Sequence, residues 1–350
     1  MSKKIVLALL LSVCGVTIGF AQQDYKPEVY GLVRAKYEVS AYDGQSRFDI
    51  RNARIGIRGL AAPNFNYAVQ IDANTQGGLS LIDAYAGYRL GDLRITLGQQ
   101  SHHLNMEYSR GSGRNYFSNH SFLGSYLTRS FSNVDNNPQV RDIGSSDMGA
   151  LLRYKYESDI PVEVMLGLFK GSGMINPQWG RGANLLGRII VGGEEGLAGS
   201  AGYYGGASML SSRMDVWSAG ARYRKGGFYA EAEYGQRTQK TGENSDDVMR
   251  LAVVYALYRF PLFTPLAKSI SPILRYDYGE NIKFINNSGK LEGFDAQRIT
   301  GGITIGLSER ELKSEIRFSY EHFLMKNKTS DYKENPMLQN KFVVEFFVAF

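Results

Sequence analysis

The amino-acid sequence of 350 residues has very little cysteine and, after its first residues, no long apolar run. The single cysteine, Cys14, excludes a disulfide framework. Beyond the amino terminus the longest clean apolar stretch covers residues 251–258. A transmembrane helix needs about 18 or more such residues, so helical spans are excluded there. The sequence also lacks a large excess of positive or negative charge, because 40 Lys and Arg residues are interspersed with 34 Asp and Glu residues. This balance gives no indication of nucleic-acid binding.

The first 21 residues have the features of a secretory signal peptide. Lys3 and Lys4 give a basic start, residues 5–20 are almost all apolar, and Ala21 ends a small-residue cleavage site. We therefore expect residues 1–21 to be removed and residues 22–350 to form a single domain. An uncleaved anchor would need a longer apolar run, and a lipoprotein cysteine at Cys14 is disfavoured by Val13 before it. Cleavage leaves 38 basic and 34 acidic residues, a net charge of +4.

The composition suits a β-barrel wall, with 40 glycines, 23 tyrosines and 18 phenylalanines against only 9 prolines. Apolar and polar residues alternate along most of the chain, which is typical of strands with one apolar face. For example, Phe65, Val69 and Ile71 share one face, whereas Gln70 and Asp72 share the other. Such segments predict sixteen strands, at residues 28–40, 47–60, 65–74, 80–90, 93–100, 147–157, 161–170, 184–193, 197–208, 213–224, 228–238, 248–260, 268–279, 294–307, 312–325 and 338–350.

The predicted connections are often short at one end of the strands and longer at the other. With an even strand number, this indicates an all-β fold, a transmembrane antiparallel β-barrel of about 16 strands in the bacterial outer membrane. The barrel must close, because an unpaired backbone group in hydrocarbon costs several kcal/mol. A soluble β-sandwich, the alternative, would expose fewer apolar residues. The terminal aromatic residue, Phe350, resembles the signal read by the barrel-assembly machinery, which we expect as a partner.

The order of several segments resembles the phosphate-selective porin O and P family. RFDIRNARIGIRG is followed by FNYAVQIDAN, then by LIDAYAGYRLGDLRITLGQ, and later by WSAGARYRKGGFYAEAEYG. The resemblance implies a 16-stranded homotrimeric barrel in lipid and lipopolysaccharide, with a third loop that folds inward and a channel for small anionic solutes. The chain departs from a purely basic filter, because the alternation also turns six carboxylates toward the lumen: Asp72, Asp83, Glu231, Glu233, Asp277 and Glu315.

The basic residues of the strands are the first candidates for a functional site. Arginine or lysine facing lipid at mid-membrane costs about 2–4 kcal/mol, so these side chains should point into the lumen. Rings of such residues select anions, and a guanidinium binds phosphate through two bonds. The alternative is that they pair with wall carboxylates and only scaffold the barrel. The predicted pore-lining, anion-binding residues are Arg34, Lys36, Arg54, Arg58, Arg89, Arg94, Arg222 and Arg224.

The loop over residues 101–146 is too long for an idle connection. It carries Arg110, Arg114, Arg129 and Arg141 among several tyrosine and phenylalanine residues. This mixture predicts a constriction loop that folds into the lumen and narrows it. An external flap is the alternative.

No catalytic residue, metal site or cofactor is expected. His102 and His103 are adjacent, so on a strand they would point to opposite faces, and no cysteine or carboxylate cluster completes a metal site. The sequence predicts an outer-membrane porin rather than an enzyme: a water-filled channel for small hydrophilic solutes, with an anion bias and with phosphate or polyphosphate as candidates. The alternatives are a nonselective porin and a structural or adhesion barrel with a blocked lumen.

Overall fold

The computed structural model of the protein describes residues 25–73, 78–128, 131–132, 145–174, 179, 182–206, 213–240, 246–285, 291–326 and 338–350. The expected signal peptide at residues 1–21 lies outside the described residues, as do Arg129 and Arg141. Within the described part of the chain, no helix combines the length and apolarity of a membrane span.

One antiparallel sheet of sixteen long strands makes up the wall, and each strand pairs with its neighbours in sequence. The first eight strands are β1 (Glu28–Ser40), β2 (Ser46–Ala62), β3 (Phe65–Ala73), β4 (Leu79–Leu90), β5 (Leu93–Ser101), β6 (Ser146–Tyr156), β7 (Val162–Phe169) and β8 (Asn184–Val191). The other eight are β9 (Gly196–Gly206), β10 (Met214–Lys225), β11 (Phe228–Lys240), β12 (Asp246–Tyr258), β13 (Ser269–Ile285), β14 (Leu291–Gly306), β15 (Ser314–Lys326) and β16 (Lys341–Ala349).

Two further strands have two residues each and pair with β13. Phe131–Ser132 pairs with it in parallel, and Phe260–Pro261 pairs with it in antiparallel orientation.

The last strand pairs with the first and closes the sheet into a barrel. Antiparallel pairing runs from Leu32 opposite Ala349 to Ser40 opposite Lys341. Beyond it, Phe350 and Gly31 exchange two backbone hydrogen bonds of 3.0 and 3.1 Å. A Cβ atom at Gly31 would lie 2.6 Å from the Phe350 ring, so glycine leaves room for the terminal side chain. Closure removes the sheet edge that hydrocarbon would not tolerate.

The two faces of the wall differ as the alternation predicts. In β16 the outward side chains Phe342, Phe346 and Val348 are 56%, 57% and 46% exposed. The intervening Glu345 and Phe347 point inward and are fully buried. The same contrast in the other strands gives the barrel an apolar exterior and an interior that contains most of the charged wall residues.

The prediction of sixteen antiparallel strands is confirmed, and one predicted boundary is wrong. The segment predicted to end at residue 279 continues to Ile285, because β13 contains a bulge between Gly279 and Ile282. Asn281 adopts a φ of 54° there, and pairing resumes with Ile282 opposite Phe294. The bulge interrupts the alternation for two residues, which made the second half of the strand look like a loop.

Candidate functional site

The long loop between β5 and β6 folds into the barrel, which confirms the inward-folded loop and excludes the external flap for residues 102–128. Each helix of this segment begins with a side-chain cap. The Asn105 side chain accepts a hydrogen bond from the Tyr108 backbone at 2.7 Å, and the Ser121 hydroxyl accepts one from the Gly124 backbone at 2.8 Å. The segment contains helix α1 (Met106–Arg110), a 3-10 turn (Ser112–Arg114) and helix α2 (Phe122–Tyr126).

One side of the loop packs into an apolar core. Leu104, Leu123 and Leu127 are at most 1% exposed. They belong to a buried cluster with inward-facing side chains from β6 to β14. Strand β12 contributes more residues to this cluster than any other strand. Along residues 251–258 this strand is apolar on both faces of the sheet. Its inward residues in the cluster are Met249, Leu251, Val253, Tyr255 and Leu257. The loop therefore fills the lumen along these strands and leaves space beside β1–β5.

Buried arginines of the wall bind the loop backbone. Arg34 donates to the carbonyl oxygens of Phe117 and Ser118 at 2.8 and 3.1 Å. Arg275 and Arg298 donate in the same way to the carbonyl oxygens of residues 119 and 120, at 2.8 and 2.6 Å. Charged donors make strong hydrogen bonds in a buried site. These bonds fix the path of the loop across the lumen.

The same arginines are paired with buried carboxylates. Arg34 lies 2.8 Å from Glu345, and both side chains are fully buried. Arg275 and Arg298 each lie 2.9 Å from Asp277. Removing one partner of a buried pair leaves an uncompensated charge, so these residues serve the architecture of the loop.

Asn119 joins the loop to several wall strands at once. Its side-chain oxygen accepts hydrogen bonds from Lys36 at 3.0 Å and from Arg51 at 2.8 Å. Its side-chain nitrogen donates to Glu38 at 3.3 Å and to Glu321 at 3.0 Å. All four donor and acceptor sites of the amide are used, which holds this part of the loop against β1, β2 and β15.

The space beside β1–β4 forms a cavity of about 970 Å³, here called the main cavity. Twelve charged side chains line it, and the basic ones outnumber the acidic ones three to one. The nine basic residues are Lys36, Arg47, Arg51, Arg54, Arg58, Arg110, Arg114, Arg298 and Lys341, and the three acidic residues are Asp49, Asp83 and Glu107.

A second cavity of about 640 Å³ lies at the end with the short turns, and we call it the vestibule. Arg58 lines both cavities, so they meet at this residue. The vestibule is also basic: its charged residues are Lys26, Arg58, Arg89, Arg94, Arg153 and Lys155 against Glu28 and Asp92. The two cavities together outline a passage between the inward loop and the first strands.

A β-bulge in β2 places additional arginines on this passage. The register with β1 shifts so that Arg34 lies opposite Asn52 and Ala35 lies opposite Ile50, which leaves Arg51 as the extra residue. Such a bulge turns two successive side chains toward the same face. Arg51 and Asn52 therefore both face the interior, whereas Ile50 is 43% exposed on the outside.

The structure distributes the predicted pore-lining residues over several sites. Lys36, Arg54 and Arg58 line the main cavity, and Arg58, Arg89 and Arg94 line the vestibule. In the loop, Arg110 and Arg114 line the main cavity.

The remaining predicted residues lie elsewhere. Arg34 faces inward but is covered completely by the loop. Arg222 donates to the Gly193 carbonyl oxygen at 3.0 Å near a short turn. Arg224 lines a separate recess of about 270 Å³ and pairs with Glu311 at 2.6 Å.

Most cations of the passage have a carboxylate partner. Arg54 lies 2.8 Å from Asp72, and Arg58 lies 2.7 Å from Glu28. By contrast, four arginines that line the two cavities form no ion pair with any described residue. They are Arg51, Arg89, Arg94 and Arg114. The passage therefore carries positive charge that the protein does not neutralise locally.

Glu107 and His120 meet at the edge of the main cavity, where the His120 ring and the Ser121 hydroxyl both contact the carboxylate. Burial acts to raise the pKa of Glu107, but these two contacts outweigh it and lower the pKa to about 2. Burial, followed by the positive charge of Arg51, lowers the pKa of His120 from its usual 6.5 to about 4. At neutral pH the pair therefore carries one negative charge.

Sequence reasoning missed Arg47 and Arg51 as lining residues. The signal was present: apolar residues occupy even positions at Phe48 and Ile50 but odd positions at Ile55 and Ile57. A change of parity within one strand indicates a bulge. Arg298 and Lys341 were also missed, because strand alternation alone cannot show which inward side chains reach the main cavity.

The described residues contain no group of three or more His, Cys, Asp or Glu side chains that could hold a metal ion. His102 is buried against Tyr204, with ring centroids 4.7 Å apart, and His103 lines the main cavity. The absence of a metal and of a cofactor stays a prediction.

A closed 16-stranded antiparallel barrel with an apolar exterior, a charged interior and a long loop folded into the lumen is the architecture of an outer-membrane porin. Solved structures support this fold. The anion-selective porin from Comamonas acidovorans matches with a TM-score of 0.64 and 14% identity, over 93% of this chain and 99% of that chain. The outer-membrane channel DcaP of Acinetobacter baumannii matches with a TM-score of 0.60 and 13% identity, over 95% and 99%. OmpT of Vibrio cholerae in its trimer form matches with a TM-score of 0.55 and 13% identity, over 93% and 99%.

The family resemblance is confirmed over the first part of the barrel. Residues 29–135 match the family model described as phosphate-selective porin O and P. The matched segment contains the first five strands and most of the inward loop, and these elements form most of the main cavity. No curated protein matches the chain significantly. The chain thus has the fold of the outer-membrane porins.

Proposed function

We propose that this protein is an outer-membrane porin rather than an enzyme, and that it forms a water-filled channel that favours small anions, with phosphate or polyphosphate among its solutes. The observation that carries the proposal is the uncompensated charge of Arg51, Arg89, Arg94 and Arg114 along the main cavity and the vestibule. A fixed cation lowers the free energy of a nearby anion and raises that of a nearby cation by the same amount. Basic linings of this kind select anions in channels.

The solute route in this proposal follows β1–β5. The apolar core fills much of the interior along β6–β14, whereas the two cavities meet at Arg58 beside the first strands. Lys36, Arg54, Arg58, Arg89 and Arg94 would line the route, and Arg34 would anchor the loop instead. Support for an anionic solute also comes from the family match and from the shared fold of the anion-selective porin from Comamonas acidovorans.

We further propose a homotrimer in outer-membrane lipid and lipopolysaccharide, assembled by the barrel-assembly machinery with Phe350 as its recognition signal. The trimer form of OmpT of Vibrio cholerae, which shares the fold, supports this assembly. The position of Phe350 supports its role, because it is the residue at which the last strand closes onto the first.

Conductance in planar bilayers tests the proposal. The purified protein should open in steps of three, and in a KCl gradient the reversal potential should lie toward the chloride equilibrium potential. A reversal potential of zero would indicate a nonselective porin. The structural barrel with a blocked lumen is favoured by one observation, the apolar core that fills much of the interior. Silence in the bilayer, from protein that is folded and inserted, would support that alternative.

A further inference from the structure

The connection between β12 and β13 differs from the other short turns in length and in character. Residues 259–268 read RFPLFTPLAK, whereas the turns at residues 91–92 and 192–195 read GD and GGEE. Phe263 is 99% exposed and Leu266 is 85% exposed. Large apolar side chains forgo the stabilisation of burial when they stay in water, so this turn presents an apolar surface that needs an explanation.

The backbone of the turn is held firmly by hydrogen bonds. The backbone N–H of Leu262 donates to the carbonyl oxygen of Lys268 at 2.8 Å. The Thr264 hydroxyl donates to the Ala267 carbonyl oxygen at 2.7 Å and accepts from the Ala267 backbone N–H at 3.1 Å. The apolar side chains therefore project from an ordered scaffold, which keeps the entropy cost of binding a partner low.

The turn continues the outer face of the barrel. Tyr258 and Phe260, which precede it, are 43% and 48% exposed, and their ring centroids lie 4.4 Å apart. Phe260 pairs with Ile270 on β13, and Leu274 further along the same outer face is 60% exposed. The lipid-facing wall thus runs without a polar interruption into the turn at residues 260–263.

We propose that residues 259–268 insert Phe263 and Leu266 into the adjoining lipid monolayer, at the boundary between headgroups and acyl chains. Aromatic side chains concentrate at this depth in membrane proteins, and apolar side chains on a polar-flanked segment bind there. The occupant is lipid rather than another protein because the exposed surface is continuous with the lipid-facing wall. The charged groups beside the turn, Lys268 and Glu309, already pair with each other at 3.5 Å.

Fluorescence quenching in vesicles tests this inference. Phe263→Trp is placed in a background of Trp179→Phe and Trp217→Phe, which removes the two natural tryptophans. The protein is reconstituted into phosphatidylcholine vesicles whose acyl chains carry bromine close to the headgroup. The new indole should lose most of its emission to the brominated lipid and little to aqueous iodide. The matched control, Asp92→Trp, lies in an exposed polar turn at the same end of the barrel and should show the reverse.

Two results would overturn the proposal. Strong quenching of the position-263 indole by iodide, as in the control, would place the turn in water. Protection from both quenchers would show that a second copy of the chain or another protein covers it. Neither result would bear on conduction, because the turn does not line the main cavity or the vestibule.

Discussion

Arg51 should set much of the anion preference, and Arg51→Gln isolates its charge. The Arg51 guanidinium binds the Ser118 carbonyl oxygen and the Asn119 side-chain oxygen, both neutral acceptors. Glutamine is also a donor and can keep a hydrogen bond to Asn119, so the loop stays attached while one positive charge disappears. Because no described carboxylate pairs with Arg51, its removal changes the field in the main cavity without leaving an orphaned anion.

The size of the effect follows from Coulomb's law. At about 5 Å from the guanidinium, a univalent anion gains about 0.8 kcal/mol in water and about 3 kcal/mol at an effective dielectric constant of 20. The main cavity contains exposed charged groups such as Arg114, so the lower value applies. A change of about 0.8 kcal/mol alters anion occupancy about fourfold, and cation occupancy changes equally in the opposite sense. The anion-to-cation permeability ratio should therefore fall by roughly an order of magnitude at low salt, and by less at higher salt because of screening.

The assay is the reversal potential in a KCl gradient across a planar bilayer, and two variants control it. Arg51→Lys keeps the charge and should keep most of the preference. The double variant Arg54→Ala with Asp72→Ala removes a cation together with the carboxylate 2.8 Å away, so it should leave the preference almost unchanged. Equal reversal potentials for Arg51→Gln and Arg51→Lys would refute the reasoning, since the charge of residue 51 would then be irrelevant.

The remaining predictions concern stability and folding. Asp277→Asn leaves the buried Arg275 without a carboxylate and leaves Arg298 with only Glu321, 3.5 Å away. It should lower the free energy of unfolding by about 3–5 kcal/mol in urea titrations of the protein in detergent micelles; an unchanged midpoint would contradict the assigned role. His120 has a pKa lowered from 6.5 to about 4, so the unfolded chain binds more protons between these pH values and stability should decrease as the pH falls through this window. His120→Gln should flatten that part of the melting-temperature profile, and an unaltered slope would argue against it. Deleting Arg51 removes the bulge and restores strict alternation, so the barrel should still fold, as judged by heat-modifiable gel mobility. Deleting Ala232 from β11, whose pairing with both neighbours has no register shift, should prevent folding, because it turns polar residues toward lipid.

The fold was predictable from the sequence because a membrane constrains a strand more strictly than water does. Every polar residue on the lipid face carries a cost, so the alternation is clean over most strands. The last strand illustrates this, since Phe342, Phe346 and Val348 alternate with Lys341 and Glu345. Boundaries failed where the backbone itself departs from regular pairing, as at the bulge of β13.

The functional site was less predictable because it depends on contacts between distant segments. Arg34 and Arg54 both face inward, and nothing in their local sequence separates them. The difference comes from the loop, which covers Arg34 and leaves Arg54 on the cavity. Alternation gives the face of a side chain, but the path of a loop with two short helices follows from tertiary hydrogen bonds such as those of Asn119.

The bulge in β2 determines which side chains of this strand face the membrane and which face the channel. With strict alternation, an arrangement that turns Arg47 and Arg51 inward would turn Arg54 and Arg58 toward lipid. Each arginine that faces lipid near mid-membrane costs about 2–4 kcal/mol. The opposite arrangement would turn Arg47 and Arg51 toward lipid and would turn Phe48 and Ile50 into the lumen. One extra residue removes this conflict, because it lets all four arginines face inward. The inward face of β2 then holds four arginines and a single acidic residue, Asp49. The positive surplus of the passage is therefore a direct consequence of where this strand breaks its alternation.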